Sequence, residues 1–511
     1  MNMKRIVVFA LALVMLASSV VGATESVVQL GLPADPGDLG PFSGMSAGRV
    51  HLLKTMYETL VDRNDFGGEF VGVIMKDYVA ISETEYEMTI YDYVYDQAGN
   101  HLTAADVAFC YNTAKSLGNL PKLNQITSIE ATGDYTLKFV FTSIRLGDLA
   151  TLWSEVPIVT QAAYEASPDS MAITPITTAP YKVTRYTSGS VLVYEKVDYW
   201  QHDASKVAVP SLANVDKIVY QMIPEPSMHT IALQTGQIDI STSVPATDLP
   251  GFRTGRYADG FMVTELGKNL TDMMQFNLYE GNPFTNEALR KAVAYAIDNN
   301  GFVAGALNGQ GRATKIPGNP NFPDFNYEWD GKYYEFDLVK AKQLLAEAGY
   351  KPGELTITVM SQADAIAVRE AQIVQAMLQE LGINVEIASY QGPLFNSYKL
   401  DPTKWDLLLN QAASTDYIVN VWKFLWDNTA YQHGTSSFFS DDHLQTLLMT
   451  ACSIEGHTQE NVDAFLDYFM EKCYAIGIVQ QFDSIVHSTN VTQLKFDARG
   501  FVIPGACEYD F

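Results

Sequence analysis

Two amphipathic helical stretches, each followed by a short β-rich run, most constrain what this chain can fold into. In "DLVKAKQLLAEAG" the spacing puts Leu338, Ala341, Leu344, Leu345 and Ala348 on one face and Gly349 in C-cap position. The run "LTITVM" follows from Leu355. "AIAVREAQIVQAMLQELG" then repeats the design with Ile373, Val374, Met377, Leu378, Leu381 and a terminal Gly382, and "NVEIAS" follows from Asn384. Helix then strand, twice over from Asp337 to Ala388, predicts an α/β unit.

Further alternating runs carry the same class along the chain: "VVQLGL" from Val27, "YEMTIY" from Tyr86, "TLKFVF" from Thr136, "VLVYEK" from Val191 and "DKIVYQM" from Asp216. Helices lie between them. "NEALRKAVAYAID" aligns Leu289, Ala292, Val293, Ala296 and Ile297. In "NHLTAADVAFCYNTAK", Thr103 and Asp106 have the spacing of a capping box, a structural role. With 511 residues, 47% of them hydrophobic, the chain is long enough for roughly two to four domain-sized units. It has no repeats, no low-complexity run and no long linker, so short crossovers should tie these units together.

Lys4 and Arg5 precede an uncharged run from Ile6 to Leu16, and "ASSVVGA" places small residues at Val21 and Ala23. This is the pattern of an export signal over residues 1–23, cleaved after Ala23 or retained as an anchor. The nearest cysteine downstream is Cys110, which argues against lipid attachment, so the mature chain is expected to be periplasmic or secreted and non-lipidated. A net charge of -26 repels nucleic acid and anionic lipid. Cys110, Cys452, Cys473 and Cys507 show no metal-ligand spacing, and the eight histidines contain no HExxH. No metal or cofactor is expected. Export permits disulfides, but Cys110, on the apolar side of its helix, reads equally well as a buried thiol.

"GMSAG", Gly44 to Gly48, has the form of a hydrolase nucleophile elbow around Ser46. The preceding "PADPGDLGPFS" is too rich in Pro, Gly and Asp to be the buried strand such an elbow needs. A glycine loop whose backbone approaches something is the better reading. "NGQGRATKIPG" lacks the features of a phosphate loop, and Asp441 and Asp442 stand at a helix start where capping explains them. An exported serine hydrolase using Ser46 remains the alternative from another class.

Six segments in order, at suitable intervals, carry a resemblance. They are "MYETLVDR", "NHLTAADVAFCYNTAK", "TTAPYKVTRYTSGSVLVYEKVDYW", "MHTIALQTGQIDI", "MQFNLYEGNPFTNEALRKAVAYAID" and "AKQLLAEAGY". The fifth matches through Asn277, Pro283, Phe284, Arg290, Ala296 and Asp298, whereas Ala179 stands where glycine is usual in the third. Together they resemble the extracellular solute-binding proteins of family 5, the oligopeptide, dipeptide and nickel binding components of ABC importers. The resemblance implies a bilobed α/β fold of the periplasmic-binding-protein type, with a hinge and an inserted subdomain. Lobe I would take residues 24–56, 180–265 and 477–511; the inserted region would span 57–179; lobe II would take 266–476. It also implies a monomer without enzymatic activity that delivers a peptide or peptide-like solute to permease subunits.

"QAASTDYIVNVWKFLW", from Gln411 to Trp426, sets a lone acid, Asp416, among aromatic and aliphatic residues. It is similar to the family element whose aspartate receives the α-amino group of a bound peptide, and Tyr417, Phe424 and Leu425 align with it. The resemblance implies that Gly44, Met45, Ser46 and Ala47 offer backbone groups to one side of an extended ligand. Ala412 and Ser414 would do so on the other. Ala413 replaces the usual tryptophan, and the arginine that some peptide binders carry is replaced near Asn410. A metal chelate, an opine or a sugar derivative therefore stays open beside a peptide. Trp422 and Trp426, four residues apart, read as one packed helix face.

Overall fold

The longest strand, Phe261–Phe276, pairs antiparallel with Ala475–Ser488 near the middle of the largest sheet. The structure is a computed structural model that describes residues 25–44, 46, 48–63, 70–197, 213–413, 417–428, 437–497 and 499–511. The expected export signal lies outside the described residues, among which no helix is long and apolar enough to cross a membrane. The sheet runs in the order Asn384–Tyr390, Thr356–Gln362, Leu407–Ala413, Phe261–Phe276, Ala475–Ser488, Ile240–Ser241, Val27–Leu32, Lys217–Met222, Val191–Lys196, Tyr181–Thr187.

The α/β unit forms where the helical periodicity places it. Strand Thr356–Gln362 pairs parallel with Asn384–Tyr390 and with Leu407–Ala413. Helix Ala365–Leu381 makes the crossover that a parallel pair requires. Its first amides, Ile366 and Ala367, donate to the Asp364 carboxylate, and Gly382 ends it at φ 97, a left-handed conformation that costs glycine least. Val374, Leu378 and Leu381 are buried, and Ile373 and Met377 pack against the same core. The capping box of helix Ala104–Leu117 is present, with the Thr103 N–H donating to Asp106 Oδ2 at 2.8 Å.

Apolar burial falls into two large cores. The second in chain order collects side chains from Met273 to Val479, including Leu289, Val293, Leu378, Trp422 and Phe465. The other collects Val28, Leu30, Tyr220 and Cys507 together with the inward residues of a separate sheet, ordered Met75–Ala80, Glu85–Ile90, Thr136–Phe141, Ile126–Ala131. Phe139 and Met88 of that sheet are fully buried in the same cluster as Val28 and Tyr220, so the small sheet shares its core with strands Val27–Leu32 and Lys217–Met222.

The two long strands pass from one core to the other, and their ladder breaks midway. Gly267 faces Phe482, but Thr271 faces Gln480, so three residues on one strand are set against one on its partner. Such a bulge leaves carbonyls outside the ladder. Side-chain amides satisfy them: Asn321 Nδ2 donates to Gly267 O at 2.7 Å, and Asn319 Nδ2 and Gln480 Nε2 donate to Lys268 O at 2.6 and 3.1 Å.

All four cysteines are buried and free. Cys110 Sγ donates to Val159 O at 3.2 Å and Cys452 Sγ to Val419 O at 3.3 Å, so the buried-thiol reading holds for Cys110 and no disulfide forms.

Candidate functional site

Strand Leu407–Ala413 leads to the segment singled out by its lone acid. Its side chains alternate: Leu407 and Leu409 enter the large second core, while Leu408 joins Met360, Phe395 and Trp405 on the other face. Its ladder ends with Thr271 opposite Ala412 and Leu270 opposite Ala413. Ser414 and Asp416 lie outside the described residues. Tyr417 then caps helix Ile418–Trp426, half-buried with its ring 4.8 Å from that of His457. The helix buries Ile418, Val419, Val421, Trp422, Leu425 and Trp426. Trp422 lies against Phe465 and Trp426 against Phe469, at 4.9 and 4.3 Å between ring centres, so the tryptophans form a packed face. Asn410, where some peptide binders carry arginine, donates instead to Gln275 Oε1 at 3.0 Å in a buried amide pair.

The other expected half of the site follows strand Val27–Leu32, in the loop before the 3-10 turn Arg49–His51. Arg49 holds this loop from inside. It is 2% exposed, Nη1 donates to Asp38 O at 2.9 Å, and Nη2 reaches the carbonyls of Gly40 and Pro41. Tyr57 Oη donates to Leu39 O at 2.7 Å. Asp35 accepts from Tyr186 Oη at 2.6 Å, from Ser188 and from Gly189 N–H. Burial alone would push its carboxyl up, but these donors together with Gly37 N–H hold it below the ordinary carboxylate range. A side chain built on Gly44 would meet nothing closer than Asn119 at 4.0 Å, so the backbone there is open to approach. Met45 and Ala47 lie outside the described residues.

Ser46 is held in a turn. Its hydroxyl donates to Pro36 O and accepts the Arg49 N–H, both at 3.2 Å, which is a turn-capping arrangement. The buried strand ends at Leu32, fourteen residues earlier, so the strand-to-helix elbow is also missing.

The loop belongs to the first core and the helix to the second, and the region between residues 57 and 179 touches both. Asn119 Nδ2 donates to Phe42 O at 3.0 Å beside Gly44, and Leu146 O accepts from Asn420 Nδ2 at 2.9 Å in the helix after Tyr417. Leu146 also packs against the second core.

Two buried acids near this helix and strand were not singled out from the sequence. Asp324 accepts the N–H groups of Ile418 and Val419 at 2.7 and 3.3 Å, and burial pushes its carboxyl up to about 6 against the pull of those amides and His457. Asp272 accepts from Gln411 Nε2 at 2.7 Å and Gln481 Nε2 at 2.8 Å, beside Glu370. Asp324 carries the signal that marked Asp416, an acid set among aromatics in "NFPDFNYEW". A groove of about 610 Å³, counting space open to solvent and lined by Lys54, Asp62, Glu155 and Asp497, also takes in Tyr57 but none of the described residues expected to meet the ligand.

Two cores joined by a pair of crossing strands with an interrupted ladder define a bilobed α/β binding protein. Residues 69–436 match the bacterial extracellular solute-binding proteins, family 5, and the chain belongs to that family. Heme-binding protein A of Haemophilus influenzae is 26% identical over 277 residues, 52% of this chain and 48% of that protein. Oligopeptide-binding protein AppA of Bacillus subtilis is 26% identical over 341 residues, 60% of this chain and 58% of the relative. The chain thus spans about half the length of the first relative and under two thirds of the second. The solved structure of HbpA2 from Haemophilus parasuis superposes with a TM-score of 0.82 at 18% identity, covering 95% of this chain and 100% of that one. At that identity the likeness shows the fold.

Proposed function

We propose that this chain is the solute-binding component of an ABC importer, capturing a peptide or peptide-like solute between two lobes and passing it to permease subunits in the membrane. Membership of family 5 supports the role, and the oligopeptide-binding relative supports the ligand class. The observation that carries the mechanism is the strand pair between the two cores, whose register breaks at Gly267–Thr271. A ladder interrupted there bends more readily than a continuous one. In this reading lobe I takes residues 24–56, 180–265 and 477–511, the inserted region 57–179, and lobe II 266–476. The mature protein acts as a non-lipidated monomer, periplasmic or secreted, after loss of residues 1–23.

Ligand binds the closed form better, and the population shifts by that difference in affinity. Asp416 receives the ligand's α-ammonium, Tyr417 flanks it, and the backbones of Gly44 to Ala47 and of Ala412 and Ser414 take the extended ligand from two sides. Its action is capture and release, without turnover. The test begins with a random tripeptide pool, from which the sequence most strongly retained by the protein is identified by mass spectrometry. Calorimetry with that tripeptide should show Asp416→Asn binding roughly thirtyfold to several thousandfold more weakly, equivalent to about 2 to 5 kcal/mol for a buried charge left without its partner. The N-acetylated tripeptide should bind wild type weakly and lose little more on the variant. Binding within about threefold of wild type, well under 1 kcal/mol, would remove Asp416 from the site.

A further inference from the structure

On strand Phe261–Phe276, two neighbouring residues at the ladder's break are held by different cores. Leu266 packs against the first core. Gly267, the next residue, is tied the other way: its carbonyl accepts from Asn321 Nδ2 at 2.7 Å, and Asn321 adjoins Phe322 of the second core. Gly267 pairs in register with Phe482, which is tied to the same side, its N–H donating to Gln310 O at 3.1 Å. Gln310 donates its own N–H to Leu307 O, and Leu307 belongs to the second core. From Gly311 to Ala313 the chain then pairs with Gln481 to Val479. Ile485, three residues beyond Phe482, is back in the first core.

The bulge itself is gripped from that second side. Lys268 O accepts from Asn319 Nδ2 at 2.6 Å, Asn269 Oδ1 accepts from Asn321 Nδ2 at 3.0 Å, and Thr271 Oγ1 donates to Gly318 O at 2.9 Å. Asn319 is used at both ends of its amide, since its Oδ1 accepts the Asn321 N–H at 2.8 Å and Gln480 Nε2 at 3.2 Å. Asn319, Gln480 and Thr271 are all buried. Pro317 O, at the start of the gripping segment, accepts from Trp422 Nε1 at 2.9 Å, which fixes that segment on helix Ile418–Trp426. Pulling the bulge away would leave these buried carbonyls and amides unpaired, a costly outcome.

Past the pair of Gly267 and Phe482, side chains tie the second side to the first. Gln310 Oε1 accepts from Arg253 Nη2 at 2.9 Å and from Ser484 Oγ, and Lys268 Nζ lies 3.3 Å from Asp483 Oδ1 in a partly exposed ion pair. A side chain can follow a small rotation by changing rotamer; a carbonyl gripped by a buried amide moves with its partner. We infer that Asn319 and Asn321 clamp residues 267–271 to the second lobe as one body, so that the lobes turn about the links Leu266–Gly267 and Phe482–Asp483. The inference rests on the reading that the lobes close about this strand pair, and it places the pivot at one edge of the bulge. Closure then breaks no bond of the clamp, which keeps the open and closed forms near enough in free energy for a solute to shift the population.

The experiment uses the full chain with two pairs of spin labels, read by pulsed dipolar spectroscopy with and without the tripeptide retained from the random pool. The native cysteines are buried, so labels go to introduced ones. Lys268→Cys with Glu328→Cys measures from the bulge to the second lobe, and Asp259→Cys with Glu328→Cys from the first lobe to the second. Asp259 and Glu328 are exposed, and losing the Lys268 ion pair costs little at a partly exposed site. Binding should shift the 259–328 distance and leave the 268–328 distance where it was. Hydrogen exchange of the unlabelled, ligand-free protein tests the clamp itself. In Asn321→Ala the amides of residues 267–271 should exchange roughly twofold to tenfold faster than in wild type, the size expected from losing a modest hydrogen bond, while those of 261–266 exchange as before. A 268–328 distance that shifts together with 259–328, or unchanged exchange at 267–271 in the variant, overturns the inference and leaves lobe closure standing. If the bound tripeptide shifts neither distance, the lobes do not close about this strand pair, and that reading falls together with the inference.

Discussion

Glu370, on helix Ala365–Leu381, lies against Asp272 of strand Phe261–Phe276 inside the protein, the two acids 3% and 2% exposed. Gln411 and Gln481 already serve both Asp272 oxygens, so the ionised form is the better satisfied on that residue. Glu370 has no such donors, and its Oε1 lacks a hydrogen-bond partner. Burial, then the Asp272 charge, push the Glu370 carboxyl up to about 9 from its usual 4.5. Two like charges so close in a dry site are costly, and one shared proton removes the repulsion.

The pair predicts a stability profile. Between pH 4.5 and about 9 the folded chain keeps a proton on Glu370 that the unfolded chain has released. Stability from this group is therefore complete below 4.5 and is lost as pH rises through about 9. Glu370→Gln removes the titration while keeping the shape. Its urea midpoint should fall less steeply than that of wild type from pH 6 to 9.5, and equal slopes would exclude the shared proton.

Thiol chemistry should report the cysteines as structural. Burial pushes the Cys110 and Cys452 thiols up to about 12 and those of Cys473 and Cys507 up to about 11, so little thiolate forms at neutral pH. Native protein should react with Ellman's reagent only slowly and then expose four thiols per chain in denaturant. A melting temperature that drops with added reductant would reveal a disulfide and contradict this.

Gly477 lies in strand Ala475–Ser488 with Ile316 O only 2.1 Å from where a Cβ would stand. Its N–H also donates to Lys315 O at 2.9 Å, so the two backbones are held at contact. Gly477→Ala should lower the unfolding free energy by about 1 to 3 kcal/mol, the usual cost of overpacking, read from urea titration. An unchanged midpoint would mean that the two segments separate easily.

Asn420 Nδ2 donates to Leu146 O between the second core and the region at 57–179. Removing that bond with Asn420→Ala should shift the balance toward separated lobes by roughly two- to tenfold, as expected for about 0.5 to 1.5 kcal/mol. Small-angle scattering of the ligand-free variant should then give a larger radius of gyration than wild type. An identical profile would show that the contact does not hold the lobes.

The α/β class, the helix faces around Val374 and Leu378, the glycine ends at Gly349 and Gly382 and the capping box at Thr103 were all legible in the sequence. Each is written in residues a few positions apart, where backbone geometry converts spacing directly into a face or a cap. The family segments were legible for the same reason, as short motifs in order. The candidate site was legible only as a segment, Gln411 to Trp426, and as a loop around Gly44. Tertiary structure decided what holds them: Asp324 on Ile418 across 94 residues, Asn420 on Leu146 across 274, and Gln481 on Asp272 across 209. A hydrogen bond between groups that distant leaves no periodic trace in the chain. For Asp324 and Asp272 it exists because folding buries both partners together, and a buried polar group without a partner is too costly to keep.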